Sequence, residues 1–229
     1  MNGGSGTAGA AVPTIALVVP VHDVGEHLGE CLASIAAQTV FDRTEVVLID
    51  DGSTDRSGDL AGTFAARHPN VRVLHQDNVG VARSRNLGVA VTTAPFIAFA
   101  DSDDVLPPRS LEARLDAMLE HDAYTVVSHA ETFPTTLDLR WTRHVRPGEN
   151  VVIDDLSDYP DLVRSGAVWN RLFRRDEWER SGTAFAEGRV FEDAWVAVPT
   201  LLRARRAVLV GECTYRYRQR DGSTMSTAL

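Results

Sequence analysis

Strand-length apolar segments alternate with segments of helical period through the first half of the chain, and few folds accommodate that alternation. The strand-like segments fall at residues 14–19, 45–49, 71–75, 96–100 and 124–128. Between them, apolar side chains recur every three or four positions over 26–38, 56–68, 80–91 and 107–120, with Val81 and Leu119 among the side chains expected to face inward. Strand, helix and strand in succession make right-handed crossovers, so the pattern predicts an α/β fold with a largely parallel sheet. Ligands of such sheets bind beyond the carboxyl ends of the strands. Three of those ends carry polar clusters: Pro20-Val21-His22-Asp23, Asp50-Asp51 and Asp101-Ser102-Asp103-Asp104. They are expected to converge on one edge.

After Ser128 the rhythm changes. Residues 130–165 are acidic and punctuated by proline. They predict loops, an edge strand near 151–153 and a short helix near 159–164. A strand over 168–173 and a short capped helix over 176–181 follow. Glu192 and Asp193 precede a helix whose Trp195, Val198, Leu201 and Leu202 are expected to face inward. Closing strands are expected at 208–210 and 213–218. Residues 1–12 read as a disordered lead-in rich in Gly, Ala, Ser and Thr. With no internal repeat and no linker, 13–229 reads as one domain.

Composition narrows the chemistry. The net charge of −9 argues against a general nucleic-acid binder. There is no lysine, which removes Schiff-base chemistry and a Walker-type phosphate loop. Cys31 and Cys213 read as two buried thiols rather than a disulfide. His22, His75 and His129 lack zinc-ligand spacing. Neither a Gly-x-Gly-x-x-Gly turn after the first strand nor a Gly-x-Ser-x-Gly elbow is present. The longest apolar stretch, 10–21, is too short and interrupted to span a bilayer. The expectation is a cytoplasmic protein that reaches the inner face of the membrane only through partners.

Each cluster has a functional and a bland reading. Three adjacent acids repel one another, so a cation with oxygen ligands would stabilise Asp101 to Asp104; a solvated acidic turn would look the same. Asp50 to Asp55 is either a turn with a helix cap or a carboxylate that reads a nucleoside. The segment from Asn78 to Gly88 opens a helix with glycines and two arginines, which suits an anion. Arg83 and Arg85 are two apart and cannot share a face, and Arg85 is the one expected to enter the site. Glu192 and Asp193 are either acids favoured by a helix dipole or a general base. Arg216, Arg218 and Arg220 share one face of a strand, as edge protection or as a stripe for phosphate.

Taken as an ordered set, these segments resemble a known family. Val18-Val-Pro-Val-His-Asp23, Leu32-Ala-Ser-Ile-Ala-Ala-Gln38, Val47-Leu-Ile-Asp-Asp-Gly-Ser-Thr-Asp55, Asn78-Val-Gly-Val-Ala-Arg-Ser-Arg-Asn-Leu-Gly88 and Phe99-Ala-Asp-Ser-Asp-Asp104 are similar to the family 2 glycosyltransferases with the GT-A fold. Trp169-Asn-Arg-Leu-Phe-Arg174, Phe191-Glu-Asp193 and Tyr215-Arg-Tyr-Arg218 resemble the branch that holds wall-teichoic-acid glycosyltransferases and capsule polymerases. The resemblance implies inverting transfer from a nucleotide sugar, usually a UDP-sugar, with Mn²⁺ or Mg²⁺. The acceptor would be a hydroxyl of a glycan or polyol phosphate in a cell-surface polymer. By the same resemblance Pro20, His22 and Asp51 contact the nucleoside, and Asn78 and Arg85 hold the uracil side or the diphosphate. Asp101 and Asp103 form the metal motif, Asp193 is the catalytic base, and Arg218 and Ser223 close over the diphosphate. Residues 13–108 would be the donor half and 109–229 the acceptor half. His22 departs from the family's usual tyrosine before asparagine. Two alternatives accompany this reading: a non-catalytic nucleotide-sugar-binding module of a larger polymer synthase, and a sugar nucleotidyltransferase. The second would carry a glycine-rich loop and a lysine, and the chain has no lysine.

Overall fold

The computed structural model describes residues 14–136 and 147–219. Eight strands form one sheet: β1 (Ile15–Val21), β2 (Thr44–Asp51), β3 (Val71–Gln76), β4 (Phe96–Phe99), β5 (Thr125–Phe133), β6 (Val151–Ile153), β7 (Arg171–Arg174) and β8 (Ala207–Arg218). Six α-helices accompany them: α1 (Leu28–Ala36), α2 (Ser57–Ala65), α3 (Val81–Ala90), α4 (Ser110–Glu120), α5 (Arg175–Arg180) and α6 (Ala194–Arg203). The sheet order is β3-β2-β1-β4-β7-β5-β8-β6. β3, β2, β1 and β4 run parallel to one another, as do β5 and β8. β7 is antiparallel to both β4 and β5, and β6 to β8. The chain leaves β1 toward β2 and β3, then returns to β1's other side with β4. Strand order therefore reverses at β1, and in open α/β sheets ligands bind beyond the carboxyl ends at such a reversal.

β1 and β4 are buried along their whole length because helices cover both faces. One face packs α1 and α4 through Leu28, Ile35, Leu111 and Met118. The other packs α3, α5 and α6 around Phe99, Phe173, Trp178 and Phe185. Their rings meet at 5.1–6.0 Å between centroids, mostly edge-on or tilted. β1 continues one residue past Pro20, beyond the expected end. The last β1 residue paired with β4 is Val18, opposite Phe99, so β4 does not call on the N–H that Pro20 lacks.

α3 lies close on β1 at Gly88, where a Cβ would stand 2.2 Å from Val18 Cγ1. Helix propensity alone says Gly88→Ala gains about 1 kcal/mol. Overpacking against a core strand costs about 1–3 kcal/mol, so a net loss is expected, read as a lower urea midpoint. Val18→Ala in the same chain should recover part of it. A midpoint that rises in Gly88→Ala alone would contradict the close contact.

Some inward assignments are corrected. Leu119, Trp195 and Leu202 are 56%, 57% and 64% exposed, and Val81 is also exposed. α6 is apolar nearly all round, so period alone cannot choose its buried face; Val196, Ala197, Thr200 and Leu201 are the buried residues. The expected closing strands are one strand, β8. A register shift opposite Ser128 to Ala130 absorbs the residues expected to separate them. The strand expected from 168 starts at Arg171, because the N–H of Arg171 turns back to Val168 O.

Candidate active site

The loops beyond β1 and β2 are laced together. Asp23 has φ +45°, a left-handed conformation that aspartate tolerates better than most residues. From there its carboxylate accepts from the N–H groups of Thr54 and Asp55 at 2.7 and 3.2 Å. Asp55, expected to cap α2, lies one residue before the N-cap Arg56 and accepts from the N–H of Ser57, the first residue of the helix, at 2.8 Å. Asp50 is buried, yet hydrogen bonds from Ser53 and His75 hold its carboxyl below its ordinary value.

Asp51 pins the next turn. Its oxygens accept from Gln76 Nε2 and from the N–H groups of Val79 and Gly80 at 2.8–2.9 Å. Gly52, at φ +71°, lets the backbone pass Asn78, where a Cβ would lie 2.7 Å from the Asn78 nitrogen. Asn78 Nδ2 then sits 3.1 Å from His22 Nε2. Pro20, His22 and Asp51, expected at the nucleoside, and Asn78, expected at the uracil side or the diphosphate, are thus gathered at the ends of β1, β2 and β3. A carboxylate has about four lone-pair positions, and Asp51 already accepts three hydrogen bonds from the chain itself.

On the other side of β1, Arg85 reaches out of α3 under the acid cluster. Its side chain is 3% exposed, whereas Arg83 is exposed, as the spacing argument required. Nη2 donates to Asp101 Oδ1 and Nη1 to Glu192 Oε1, both at 2.7 Å, and Nη1 also donates to Asp193 Oδ1. The ring of Phe185 lies 5.4 Å from its Cζ. The positive partner demanded by the acids is therefore, in part, the chain's own guanidinium. One guanidinium serves three carboxylates. Burial pushes the Asp193 carboxyl up to about 7, with Asp101 and Glu192 adding to the rise and Arg85 opposing it.

The acid loop is held from below by β8. Tyr215 Oη donates to Asp104 Oδ2 at 2.7 Å and accepts from the Asp101 N–H at 3.0 Å. The Tyr215 ring stacks on Trp169 at 4.4 Å. Arg218 donates its N–H to Asp104 Oδ1, its Nε to Asp103 O and its Nη2 to Glu30. Its Cζ also lies 4.4 Å from the Phe133 ring centroid. Arg218 accordingly braces the acid loop, and its guanidinium is directed at Glu30 and Asp103. Ser223 and Arg220 lie outside the described residues. Sequence reasoning named Asp104 and Glu192 within their acid clusters and Tyr215 within its motif, but gave none of the three its structural role. The alternation of Tyr215 with Arg216 was the available signal that the tyrosine lies in the buried phase of β8.

Asp101 and Asp103 offer a cation oxygen ligands only. Arg85 engages Asp101 Oδ1 and leaves Oδ2 to other partners. Among the described residues no group of three His, Cys, Asp or Glu side chains could enclose a metal. That donor set fits a hard ion of the Mg²⁺ or Mn²⁺ kind, held by one or two carboxylates and completed by substrate phosphates and water. Cys31 and Cys213 are free thiols, the first buried and the second half-buried.

The sheet, with its reversal at β1 and its acid-tipped strands, has the GT-A fold. It superposes with a TM-score of 0.80 on residues 1–349 of S. aureus TarS in complex with UDP-GlcNAc, at 21% identity, covering 94% of this chain and 61% of that one. The mannosyltransferase PcManGT of Pyrobaculum calidifontis, in complex with GDP-Man and Mn²⁺, superposes at 0.70 and 17% identity over 94% of this chain and 60% of that one. Residues 16–181 match the profile of Glycosyl transferase family 2, and the chain belongs to that family. It is 30% identical over 225 residues to the glycosyltransferase GlyG of Streptococcus pneumoniae serotype 4, covering 93% of this chain and 73% of GlyG. The chain thus spans 60% to 73% of the length of these relatives. No helix among the described residues is long and apolar enough to cross a membrane.

Proposed function

We propose that this chain transfers a sugar with inversion from a nucleotide sugar, a UDP-sugar, to a hydroxyl of a cell-surface polymer or glycan. The reading places it in the cytoplasm, at the inner face of the membrane through partners. Residues up to 108 hold the donor and those beyond face the acceptor. Pro20, His22 and Asp51 receive the nucleoside, and Asn78 and Arg85 lie at the uracil side or the diphosphate. Asp101 and Asp103 hold Mn²⁺ or Mg²⁺, which when bound stabilises the leaving diphosphate as a Lewis acid. Arg218 and Ser223 belong to the diphosphate side, Arg218 by fixing the loop that carries Asp103.

In the step itself Asp193 takes the proton of the acceptor hydroxyl. The acceptor oxygen forms a bond to the anomeric carbon as the bond to the diphosphate breaks, and UDP leaves with that electron pair. Arg85 keeps Asp193 oriented and spreads the charge of its neighbours. The observation that carries the reading is the sharing of one buried guanidinium by Asp101, on the donor side, and Asp193. A carboxyl poised near neutrality suits a general base.

The test is a screen of nucleotide sugars for slow hydrolysis, with and without Mn²⁺. Hydrolysis of a UDP-sugar is expected, and EDTA should remove it. Asp103→Ala should lower it by at least about 10²-fold, the scale of several kcal/mol of leaving-group stabilisation. Activity indifferent to EDTA would remove the metal from the mechanism. Activity only on nucleotides other than UDP would correct the donor.

A further inference from the structure

The segment Trp169-Asn-Arg-Leu-Phe-Arg174 carries an arginine to which the mechanism above gives no part. Arg171 opens β7 and is completely buried. A buried guanidinium is costly unless its N–H groups find acceptors. Here three carbonyls take them. Nε donates to Ala167 O at 2.9 Å, Nη2 to Ser165 O at 2.6 Å and Nη1 to Ala197 O at 3.2 Å. The first two carbonyls lie in the loop ahead of β7, and the third lies one turn into α6. Ala197 in turn donates its N–H to the Asp193 carbonyl at 2.8 Å. One side chain therefore ties that loop to the helix turn that Asp193 begins. The loop also meets the same turn directly. At Gly166 a Cβ would stand 3.2 Å from Ala194 Cβ. The Val168 N–H donates to the Asp193 carboxylate. Asp193 is also the opposite charge that acts on the Arg171 guanidinium.

We propose that Arg171 is a positioning residue for the base, clamping residues 165–168 onto α6 so that the Val168 N–H keeps its hold on the Asp193 carboxylate. The proposal rests on the glycosyl-transfer reading above. Arg85 grips that carboxylate from α3, and the Val168 N–H grips it from the loop ahead of β7. Two donors on different elements remove rotations that one donor leaves free. A reacting group displaced by about 1 Å can lose about 10²-fold in rate. Apolar packing stabilises a core as well as buried charge does. What the guanidinium fork adds is a fixed separation between loop and helix. Methionine at this position would fill much of the space, yet leave three carbonyls without donors and the loop free to drift from α6.

Variants of the whole chain test this by slow hydrolysis of the UDP-sugar that the parent hydrolyses. Turnover is counted per UDP-binding site, so unfolded chain does not enter. Arg171→Met should lower kcat by about 10–10²-fold, while KM and UDP affinity stay within about threefold. Arg171→Lys should recover at least about threefold of that loss. In the Asp193→Asn background Arg171→Met should cost less than about twofold, because no base is left to position. Gly166→Ala leaves the guanidinium in place and presses the loop off α6. It should lower kcat by about threefold or more, and Ala194→Gly, which removes the opposing methyl, should restore it. That pair decides the matter if Arg171→Met does not fold. Hydrogen exchange of the Val168 amide, followed by NMR with no sugar present, should quicken at least about tenfold in Arg171→Met, and it should also quicken in Gly166→Ala. Lost stability with kcat unchanged, or losses that multiply in the Asp193→Asn background, would make Arg171 a packing residue and overturn the proposal. Unchanged exchange at Val168 overturns it as well. A parent that hydrolyses no nucleotide sugar sinks the transfer reading, and faster Val168 exchange in the variants then still upholds the clamp.

Discussion

Asp193→Asn is expected to lower turnover by about 10²–10⁴-fold, the usual contribution of a positioned general base. Affinity for UDP should change by less than about threefold, because in the proposed mechanism that side chain serves the acceptor and not the nucleotide. The amide keeps the shape of the carboxyl and can still accept from the guanidinium, but it cannot take a proton. The pH profile sharpens the expectation. The parent's carboxyl is raised to about 7 by burial and by its acidic neighbours. As pH falls through that value the base becomes protonated, so kcat/KM should drop about tenfold per pH unit below it. The residual rate of Asp193→Asn should lose that limb. A variant with normal turnover, or one that keeps the same acid limb, would move the base elsewhere.

Arg85→Leu should be the most damaging single change to stability. Leucine fits a buried position, yet its substitution leaves Asp101, Glu192 and Asp193 together without their shared cation. Removing one partner from a buried ionic cluster costs about 3–5 kcal/mol. The pH dependence distinguishes this from lost packing. Arg85 opposes the rise at Asp193, so without the guanidinium that carboxyl is pushed up further in the folded state. A raised carboxyl contributes stability that is present below its unfolded value and lost as pH rises through the folded one. The deficit of Arg85→Leu against the parent should therefore be smallest near pH 4 and largest near pH 8, read from urea midpoints. A deficit equal at all pH values would assign Arg85 a packing role. Arg85→Lys should recover part of the stability, since one ammonium cannot reproduce a fork that spans three acids.

The first half of the chain was legible because its strands are short, apolar and separated by helical periods. Even the edge strand Val151–Ile153 falls where its apolar triplet stands. Two-residue spacing allowed only one of Arg83 and Arg85 into the site, and burial shows that it is Arg85. α6 was misread for a physical reason. Trp195, Val198 and Leu202 make as good an apolar stripe as Val196, Ala197 and Leu201, so only tertiary packing decides between them. Tyr215 and Asp104 were invisible as a pair because 111 residues separate them. The same holds for Arg85 and Asp193, 108 residues apart, whose meeting depends on β7 and α6 returning to the face that α3 covers.

The arrangement as a whole claims that acids from the end of β4 and from the entrance to α6 face one nucleotide sugar from opposite sides. The most direct measurement is a crystal structure of this chain with UDP, Mn²⁺ and a non-hydrolysable donor analogue. The account predicts the ion on Asp101 or Asp103 between the phosphates, and the anomeric carbon within reach of a hydroxyl held by Asp193. An ion bound away from those two residues, or Asp193 turned from the sugar, would contradict it.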